Sequence, residues 1–426
     1  MTTCTRQTYY FIQVGVCTST TLAVMSPQER STLRVGERIN VTIEKIAHGG
    51  HCIARHEGAV IFVRHAIPGE NCTVEITSIG ASFNRADVVE VHSSSSDRVN
   101  APCSFAHPNG CGGCDFQHIS ESRQRKLKAE VIKEQFFRIA KMDIEIDVEE
   151  VGPSLRWRTR CIAHVSAQGK IGFYQSRSHT VEEISDCPIL APQLRFAELA
   201  KSQFTPQATL EIATSNTGER TVALNEKDGH QEVIQGSEIL HHKVASKNLE
   251  AHYQSFWQSH TSAPEVLTKS VLEFAEVQSG DHILDLYGGV GLFTSVLIDC
   301  IGSSGSITLV EGSKRATADG LRNFADYSNI KVVTGDVSKI LPRIASADVI
   351  ILDPPREGAD KSALTEMIRL RPRCIVYVSC DPASLARDAR ILHDAGFPLA
   401  KLRAFDLFPM THHIECVALF TSDKVS

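Results

Sequence analysis

The feature that most constrains the fold is a series of five short apolar runs in the C-terminal part of the chain. Each run is continuous rather than alternating, which is typical of parallel strands that are buried on both faces. Stretches long enough for a helix separate the runs. The pattern predicts an α/β fold with a doubly wound, Rossmann-like sheet over residues 251–426. The runs are Ile283–Leu286, Ile307–Val310, Lys331–Val333, Val349–Leu352 and Ile375–Val378.

The size and charge of the chain limit what else it can be. At 426 residues it is too long for one ordinary hydrophobic core, and we expect roughly two to three domains. Hydrophobic residues make up 42% and charged residues 22% of the chain, as in soluble globular proteins. The formal net charge of -6 provides no general attraction to nucleic acid, so binding of RNA or DNA requires a local basic patch.

Residues 1–30 show no clear period, and we expect them to be a disordered extension, with Met25 as an alternative start. They lack the clean apolar core of a signal peptide. No run in the chain approaches the roughly 18 apolar residues of a membrane span. The sequence therefore predicts a cytoplasmic protein that does not bind membranes.

Residues 31–93 change to short alternating runs separated by glycine turns, a pattern that predicts a small β-barrel. This stretch resembles a TRAM domain, an OB-like barrel associated with RNA binding. The alternative is a barrel that only packs against its neighbour. The runs and turns are Arg38–Ile43, Gly49-Gly50, Ala59–Val63, Pro68-Gly69 and Cys72–Ile79.

Residues 100–250 are predicted to form a mixed α+β middle domain that carries a metal site. Cys103, Cys111 and Cys114 lie among glycines at a spacing too dense for chance in a reduced chain. Cys187, which a proline follows, is the candidate for a fourth ligand. The odd count of 13 cysteines argues against a disulfide framework. On charge alone, four thiolates suit zinc as well as a [4Fe–4S] cluster.

Two clusters in this region, Arg156–Arg160 and Gly172–Gln175, interleave polar or cationic side chains with aromatic ones. Such clusters can hold phosphates and stack bases, so we hypothesise that they contact RNA. The helix predicted at Glu121–Ala140 also carries many cations. A charged run on an amphipathic helix is as a rule a solvated face.

The first predicted strand of the α/β domain ends in a glycine-rich turn, Leu284–Gly291, where a ligand can approach the backbone at a helix start. Glu311 ends the second strand, where it could take a ribose diol. Asp336 follows the third strand and Asp353 the fourth. The first two features are compatible with a dinucleotide oxidoreductase. The Asp-Pro-Pro turn that begins at Asp353 favours an S-adenosylmethionine methyltransferase.

The fifth run leads into Val376–Pro382, which predicts a strand, a tight turn and the start of a helix. Asp381 suits the N-cap and Pro382 the first helical position. Cys380 would then lie where backbone N–H groups and the helix dipole favour a thiolate, so it can act as a nucleophile. The alternative is a buried structural thiol.

Several motifs occur together in the order found in RNA 5-methyluridine methyltransferases, and the chain resembles the iron–sulfur branch of this family from about Leu33 to Phe420. The resemblance implies that Cys380 is the nucleophile and Glu415 the base. It also implies a [4Fe–4S] cluster on the four cysteines, with zinc as the alternative. The motifs are Phe256-Trp257-Gln258, LDLYGGVGLFT from Leu284, DPPREG from Asp353, VSCDP from Val378 and HIE from His413. The residues implied to bind S-adenosylmethionine are Gln258, Tyr287, Gly288, Gly289, Gly291, Glu311, Asp336 and Asp353.

The chain departs from the usual residues of this family at Gly288, Leu292 and His260, where Cys, Asn and Asn are frequent. Uridine is favoured over cytidine as the target because Arg356 stands where 5-methylcytidine enzymes typically carry a second cysteine. The expected partner is RNA, with 23S ribosomal RNA favoured and position 54 of transfer RNA as the alternative. We expect a monomer. An inactive RNA-binding iron–sulfur protein is the alternative from another class.

Overall fold

The computed structural model describes residues 33–422, which form four β-sheets and a set of helices. The extension predicted over residues 1–30 lies outside the described residues. Among the helices of the described part, none is long and apolar enough to cross a bilayer.

The N-terminal strands form the predicted barrel. They are β1 (Arg38–Ile46), β2 (Cys52–His56), β3 (Ala59–Arg64), β4 (Asn71–Ser78) and β5 (Asn84–Ser93). The barrel closes in the order β1-β2-β3-β5-β4, and alternate side chains of β1, such as Ile43, are buried inside it. Gly49 and Gly50 turn the chain between β1 and β2 with φ of +87° and +79°, a conformation that favours glycine.

Helix α1 (Glu121–Gln135) has the predicted amphipathic pattern, and a π-helical turn at Phe136–Ala140 extends it. Its apolar side, including Leu127, is buried. The interpretation of its cations as a solvated face is wrong for Lys128, which is 1% exposed and bonded to Asp406. A partner that is distant in sequence therefore decides where this cation lies.

The strands between α1 and the α/β domain belong to three different sheets. The elements are β6 (Val148–Glu150), β7 (Arg160–Val165), β8 (Ile171–Tyr174), β9 (Val181–Glu183), a 3₁₀ turn (Pro192–Leu194), α2 (Phe196–Leu199), β10 (Thr209–Thr214), β11 (Arg220–Asn225), β12 (Gln231–Gln235), β13 (Ile239–Val244) and β14 (Lys247–His252). Six of the strands form an antiparallel sheet in the order β12-β11-β10-β7-β8-β9. Strands β13 and β14 form a separate hairpin, while β6 joins the C-terminal sheet.

The C-terminal part alternates strands and helices. Its strands are β15 (His282–Leu286), β16 (Ser306–Glu311), β17 (Ile330–Thr334), β18 (Val349–Leu352), β19 (Cys374–Ser379), β20 (Leu399–Asp406) and β21 (Glu415–Thr421). Its helices are α3 (Ala263–Ala275), α4 (Leu292–Ile301), α5 (Lys314–Asn323), α6 (Val337–Ile340), a 3₁₀ turn (Leu341–Arg343), α7 (Lys361–Leu370) and α8 (Pro382–Asp394).

The strand order of this sheet is β17-β16-β15-β18-β19-β21-β20-β6. Strands β15 to β19 run parallel to one another, which confirms the predicted doubly wound fold. Strand β21 runs antiparallel to β19. Its first residue therefore lies at the same edge of the sheet as the carboxyl ends of the parallel strands, where ligands bind in open α/β sheets.

The apolar core continues from the barrel into the α/β domain. The barrel interior, the buried side of α1 and the face of the large sheet that packs on α7 and α8 form one hydrophobic cluster. Helices α3 and α4 cover the other face. The barrel and α1 are therefore held against the α/β domain by shared apolar packing, which is non-directional but large in total.

Candidate active site

Cys380 lies in the predicted turn between β19 and α8. Asp381 caps the helix: its Oδ1 accepts from the N–H groups of Ala383 at 3.0 Å and Ser384 at 2.8 Å. Pro382 is the first helical residue. The predicted strand, turn and helix start are all present, and Cys380 is half-buried.

The state of the Cys380 thiol differs from the sequence-based expectation. Burial, together with the nearby carboxylates of Glu415 and Asp353, raises the pKa of Cys380 to about 12, while Arg356 acts in the opposite direction. The helix start alone therefore does not produce a thiolate in the ligand-free protein. Burial is the largest cause of the raised pKa, and the two carboxylates that add to it lie at the start of β21 and in the turn after β18.

Glu415 faces this turn from the neighbouring strand. In the β19–β21 register Ser379 pairs with Cys416, so Cys380 and Glu415 leave the paired strands at the same edge. Glu415 is 4% exposed. Burial, followed by the charge of Asp353, raises the pKa of Glu415 well above its usual range, as expected for a carboxyl among apolar residues.

The glycine-rich turn after β15 has an open side and a closed side. A Cβ added at Gly289 would meet no atom within 4 Å, while one at Gly291 would overlap the ring of Phe324. Gly291 has a φ of +98°, and Tyr287 also has a positive φ, of 56°. A Cβ at Gly288 would lie 2.8 Å from Leu309 Cγ, so a Cys there requires Leu309 to move.

Asp353, after β18, accepts from Gln258 Nε2 at 3.2 Å through its Oδ2. Burial and then the charge of Asp285 raise the pKa of Asp353 to about 7. These contacts bring Gln258 and Asp353, predicted from separate motifs, into one site.

Asp285 is a site residue that the sequence analysis did not single out. It is fully buried in β15, and its Oδ2 accepts from the N–H of Thr294 at 3.0 Å and from Thr294 Oγ1 at 2.6 Å. Its Oδ1 has no hydrogen-bond partner among the described residues. Burial raises the pKa of Asp285 to about 6. An acid inside an otherwise apolar strand is the signal that identifies it.

The two remaining acids differ in their surroundings. Glu311 ends β16, and its Oε2 accepts from the N–H of Gly289 at 2.9 Å, so it lies on the glycine turn. Asp336 caps α6 and accepts from the N–H of Ser338 at 2.9 Å. Its side chain is 46% exposed. The structure thus places Glu311 in the group around the turn and leaves the Asp336 carboxylate directed at its own helix.

A cavity of about 120 Å³ opens beside Cys380. Its walls come from the barrel turn (residues 47–50), from α1 at Lys128, and from the segment 412–414 that precedes Glu415. Arg356 also lines it and contacts the ring of His413 at 3.2 Å. The barrel turn and α1 were not predicted to reach this site.

The four predicted metal ligands lie together around a second cavity. It has a volume of about 390 Å³, and its lining includes Cys103, Cys111, Cys114 and Cys187. All four are free thiols. Among the described residues no group of three or more His, Cys, Asp or Glu side chains has the geometry to hold a single metal ion. The thiols therefore share a cavity without closing around one point.

The hypothesis that Arg156–Arg160 contacts RNA is wrong for two of its members. Trp157 is 1% exposed. The guanidinium of Arg160 donates to the carbonyl oxygens of Tyr253 at 2.7 Å and Ser255 at 2.8 Å. These side chains hold the middle sheet to the segment that leads to Gln258.

Family comparisons agree with this architecture. The chain matches a family model described as tRNA (Uracil-5-)-methyltransferase over residues 339–423 and a TRAM domain model over residues 32–89. A protein-L-isoaspartate(D-aspartate) O-methyltransferase model matches residues 237–358. The resemblance of the barrel to a TRAM domain is confirmed.

Relatives match over nearly the whole chain. A protein of Streptomyces avermitilis named as an uncharacterised RNA methyltransferase is 40% identical, over 90% of this chain and 98% of its own. The 23S rRNA (uracil(1939)-C(5))-methyltransferase of Shewanella sediminis is 30% identical, over 92% and 98%. The crystal structure of the Pyrococcus abyssi tRNA (uracil-54, C5)-methyltransferase with S-adenosyl-L-homocysteine shares the fold, with a TM-score of 0.69 at 21% identity, covering 90% of this chain and 99% of that chain. The chain belongs to the family of S-adenosylmethionine-dependent RNA (uracil-C5-)-methyltransferases.

Proposed function

We propose that this enzyme methylates C5 of a uridine in 23S ribosomal RNA through a covalent bond between Cys380 and C6, which Glu415 resolves as the base. The observation that carries the proposal is the pairing of Ser379 with Cys416 between β19 and β21. This register brings the thiol and the carboxyl to one edge of the sheet, beside Asp353.

The thiol is needed because uracil C5 is too weak a nucleophile to attack a methyl sulfonium directly. Addition of the Cys380 thiolate to C6 turns the ring into an enolate, and the C5 of the enolate can attack. S-adenosylmethionine supplies the methyl group. Afterwards C5 carries both a methyl group and a proton, and the bond to Cys380 cannot break until that proton leaves.

Cys380 must lose its own proton before it can add. In the ligand-free protein, burial and the charges of Glu415 and Asp353 keep the thiol pKa at about 12. A positive charge bound beside Asp353 would favour the thiolate. Addition is therefore favoured when the cofactor site is occupied.

Glu415 suits the final proton transfer. Its pKa lies well above its usual range because the carboxyl is buried and close to Asp353, and a raised pKa makes a carboxylate a stronger base near neutral pH. Removal of the C5 proton by Glu415 restores the ring and releases Cys380 as a thiolate.

We assign the cofactor to the open side of the glycine turn, where a Cβ at Gly289 would meet nothing and close backbone approach is possible. Glu311 suits the ribose diol. Asp353 and Gln258 would face the methyl donor, and Asp285 lies against the turn, because a Cβ at Gly288 would be 3.1 Å from Asp285 Cγ. The assignment of Tyr287, Gly288, Gly291 and Asp336 to this site rests on the family resemblance.

Ribosomal RNA is the favoured substrate because the Shewanella sediminis relative named for 23S rRNA matches over nearly its full length. The Pyrococcus abyssi neighbour named for transfer RNA shares the fold at 21% identity, and transfer RNA position 54 is the alternative. In either RNA the target base must leave its stack, which is easiest in a loop.

We also propose that Cys103, Cys111, Cys114 and Cys187 hold a [4Fe–4S] cluster, with zinc as the alternative. The support is that all four thiols line one cavity. Four cysteine thiolates are the usual ligands of such a cluster. The cluster would be a structural or redox group.

The direct test of the covalent mechanism is to remove the base and the nucleophile separately. Glu415→Gln should add Cys380 and transfer the methyl group, then accumulate a methylated protein–RNA complex that survives denaturing gels. Cys380→Ala and the double variant should form none while still binding S-adenosylmethionine. Normal turnover by Glu415→Gln would assign the base elsewhere, with His412 and His413 the nearest alternatives.

The substrate is tested by mapping 5-methyluridine in ribosomal and transfer RNA of a deletion strain. Loss of one 5-methyluridine from 23S rRNA, restored by the parent gene and not by Cys380→Ala, is the expected result. A loss confined to transfer RNA would move the assignment to the alternative.

A further inference from the structure

We propose that His48, on the barrel turn, is a positioning residue for the nucleophile, because it holds Asp381 and so fixes the turn that presents Cys380. This inference rests on the proposed function, since it takes Cys380 as the residue that adds to uracil. It makes the TRAM barrel part of the catalytic site in addition to any role in binding RNA.

The contact joins the barrel directly to the nucleophile turn. His48 Nε2 lies 2.8 Å from Asp381 Oδ2. The other oxygen, Oδ1, accepts the two N–H groups that begin α8, from Ala383 and Ser384. One carboxylate therefore uses one oxygen to cap the helix and the other to bind the barrel.

The backbone of the turn is braced from within the α/β domain. The hydroxyls of Ser379 and Ser384 both donate to the carbonyl oxygen of Asp381 at 3.1 Å. These bonds fix the main chain next to Cys380. The second oxygen of Asp381 is left for His48, so an element outside the α/β domain completes the restraint on this side chain.

The barrel turn has the shape needed for this approach. A Cβ at Gly50 would lie 2.6 Å from Asp115 Oδ2 and 2.6 Å from His412 Cβ, a separation that non-bonded atoms do not adopt. Any larger residue would push the turn away from the site and take His48 with it. Ala47, His48, Gly49 and Gly50 line the same cavity as Cys380, so this close docking forms one wall of the space beside the thiol.

The charges around the thiol agree with the assignment. Glu415, Asp353 and Asp381 are the negative groups that raise the pKa of Cys380, and Arg356 is the positive one that lowers it. The bond to Asp381 raises the pKa of His48, so His48 is more readily protonated. A protonated His48 offsets the Asp381 charge, which favours the thiolate. Its side chain is 41% exposed, and solvent screens such pairs, so a moderate effect is expected.

The probe is a 23S rRNA transcript that contains 5-fluorouridine. Fluorine replaces the proton that Glu415 would remove, so the complex stalls after addition and methyl transfer, and its rate of formation reports the steps that follow from attack by Cys380. With saturating RNA and S-adenosylmethionine, His48→Ala should form the complex about 10-fold more slowly than the parent. Binding of S-adenosylmethionine should be unchanged.

Two further variants separate positioning from loss of structure. His48→Gln retains a donor to Asp381 and should recover most of the lost rate. Gly50→Ala, which displaces the turn and leaves His48 in the sequence, should be slowed as His48→Ala is. The matched control is His92→Ala, because His92 lies on the same barrel, bonds Thr73 Oγ1 at 2.7 Å, and should react at the parental rate.

If His48→Ala forms the covalent complex at the parental rate with saturating RNA, the inference is wrong. This includes the case in which the variant only binds RNA more weakly, because His48 would then act by contacting RNA and not by holding the turn. A slowed His48→Gln that equals His48→Ala would also count against it. If the parent itself forms no complex, the proposed function fails and the inference with it. These outcomes distinguish the two failures.

Discussion

The buried ion pair between Lys128 and Asp406 allows a sharp prediction of stability. Lys128 Nζ lies 2.6 Å from Asp406 Oδ1, with the two side chains 1% and 4% exposed, and it also donates to the carbonyl oxygen of Phe408 at 3.1 Å. Among the described residues, Lys128 is the hydrogen-bond partner of the Asp406 carboxylate. Lys128→Met keeps most of the volume and leaves this carboxylate buried and unpaired. Breaking a buried pair in this way costs about 3–5 kcal/mol.

Thermal unfolding measures this cost. For a domain of roughly 150–250 residues, each kcal/mol of lost stability lowers Tm by roughly 2–4 °C. Lys128→Met should therefore lower Tm by more than about 6 °C. The double variant Lys128→Met Asp406→Leu should recover most of the loss, because no buried charge remains. Lys133→Met, which removes an exposed pair with Glu145 from the same helix, should leave Tm unchanged. A single variant as stable as the parent, or a double variant no better than the single, would refute the reasoning.

Three further predictions concern the cofactor site and the cysteines. Because burial raises the pKa of Asp285 to about 6, the folded state binds more protons than the unfolded state between about pH 4 and pH 6. The free energy of unfolding should therefore fall as pH rises through this window. In Asp285→Asn this fall should be smaller by on the order of 2 kcal/mol, measured by chemical denaturation at several pH values. Gly291→Ala, which overlaps Phe324, should lower Tm strongly. Gly289→Ala, whose Cβ would meet no atom but whose φ is +57°, should lower Tm less, through backbone strain alone, and should weaken S-adenosylmethionine binding in calorimetry. Protein prepared without oxygen should be brown and hold about four irons. Cys187→Ser should lower the iron content, whereas Cys300→Ser, at an exposed cysteine, should leave it unchanged. Stoichiometric zinc without iron would contradict the cluster.

The large sheet could be predicted from sequence because its strands carry their own signal. The predicted bounds of Val349–Leu352 are those of β18 in the structure. Every residue of a strand buried on both faces is apolar, so the strand ends where the apolar run ends. The cap at Asp381 and Pro382 was equally local, because its hydrogen bonds reach three residues at most. Signals of this kind depend on neighbours in the chain.

The remaining features depend on residues that are far apart in the chain. Lys128 has the sequence context of a surface cation, and its partner Asp406 is 278 residues away. The helix start alone favours a thiolate at Cys380, whereas burial and then the carboxylates from β21 and from the turn after β18 raise its pKa. His48 and Gly50 form one wall of the cavity beside Cys380. Their position depends on how the barrel packs against the α/β domain, and no local sequence pattern indicates that packing.

The segment that carries Glu415 is held mainly by the N-terminal half of the chain. Met410 accepts from the N–H of Phe116 at 3.0 Å and donates its own N–H to Gln124 Oε1 at 2.9 Å. His412 bonds Asp115 through its backbone N–H at 3.0 Å and through Nδ1 at 2.5 Å.

Asp115 and Phe116 directly follow Cys114, so the end of the cysteine loop is fastened to the strand start that presents the proposed base. The nucleophile turn is held by the barrel turn, which itself packs at Gly50 against Asp115 and His412. A disturbance of the cysteine loop should therefore reach, through Asp115, both the segment before Glu415 and the barrel turn that holds Asp381. The proposed cluster on these cysteines would therefore act on the active site through Asp115, by way of the segment before Glu415 and the barrel turn.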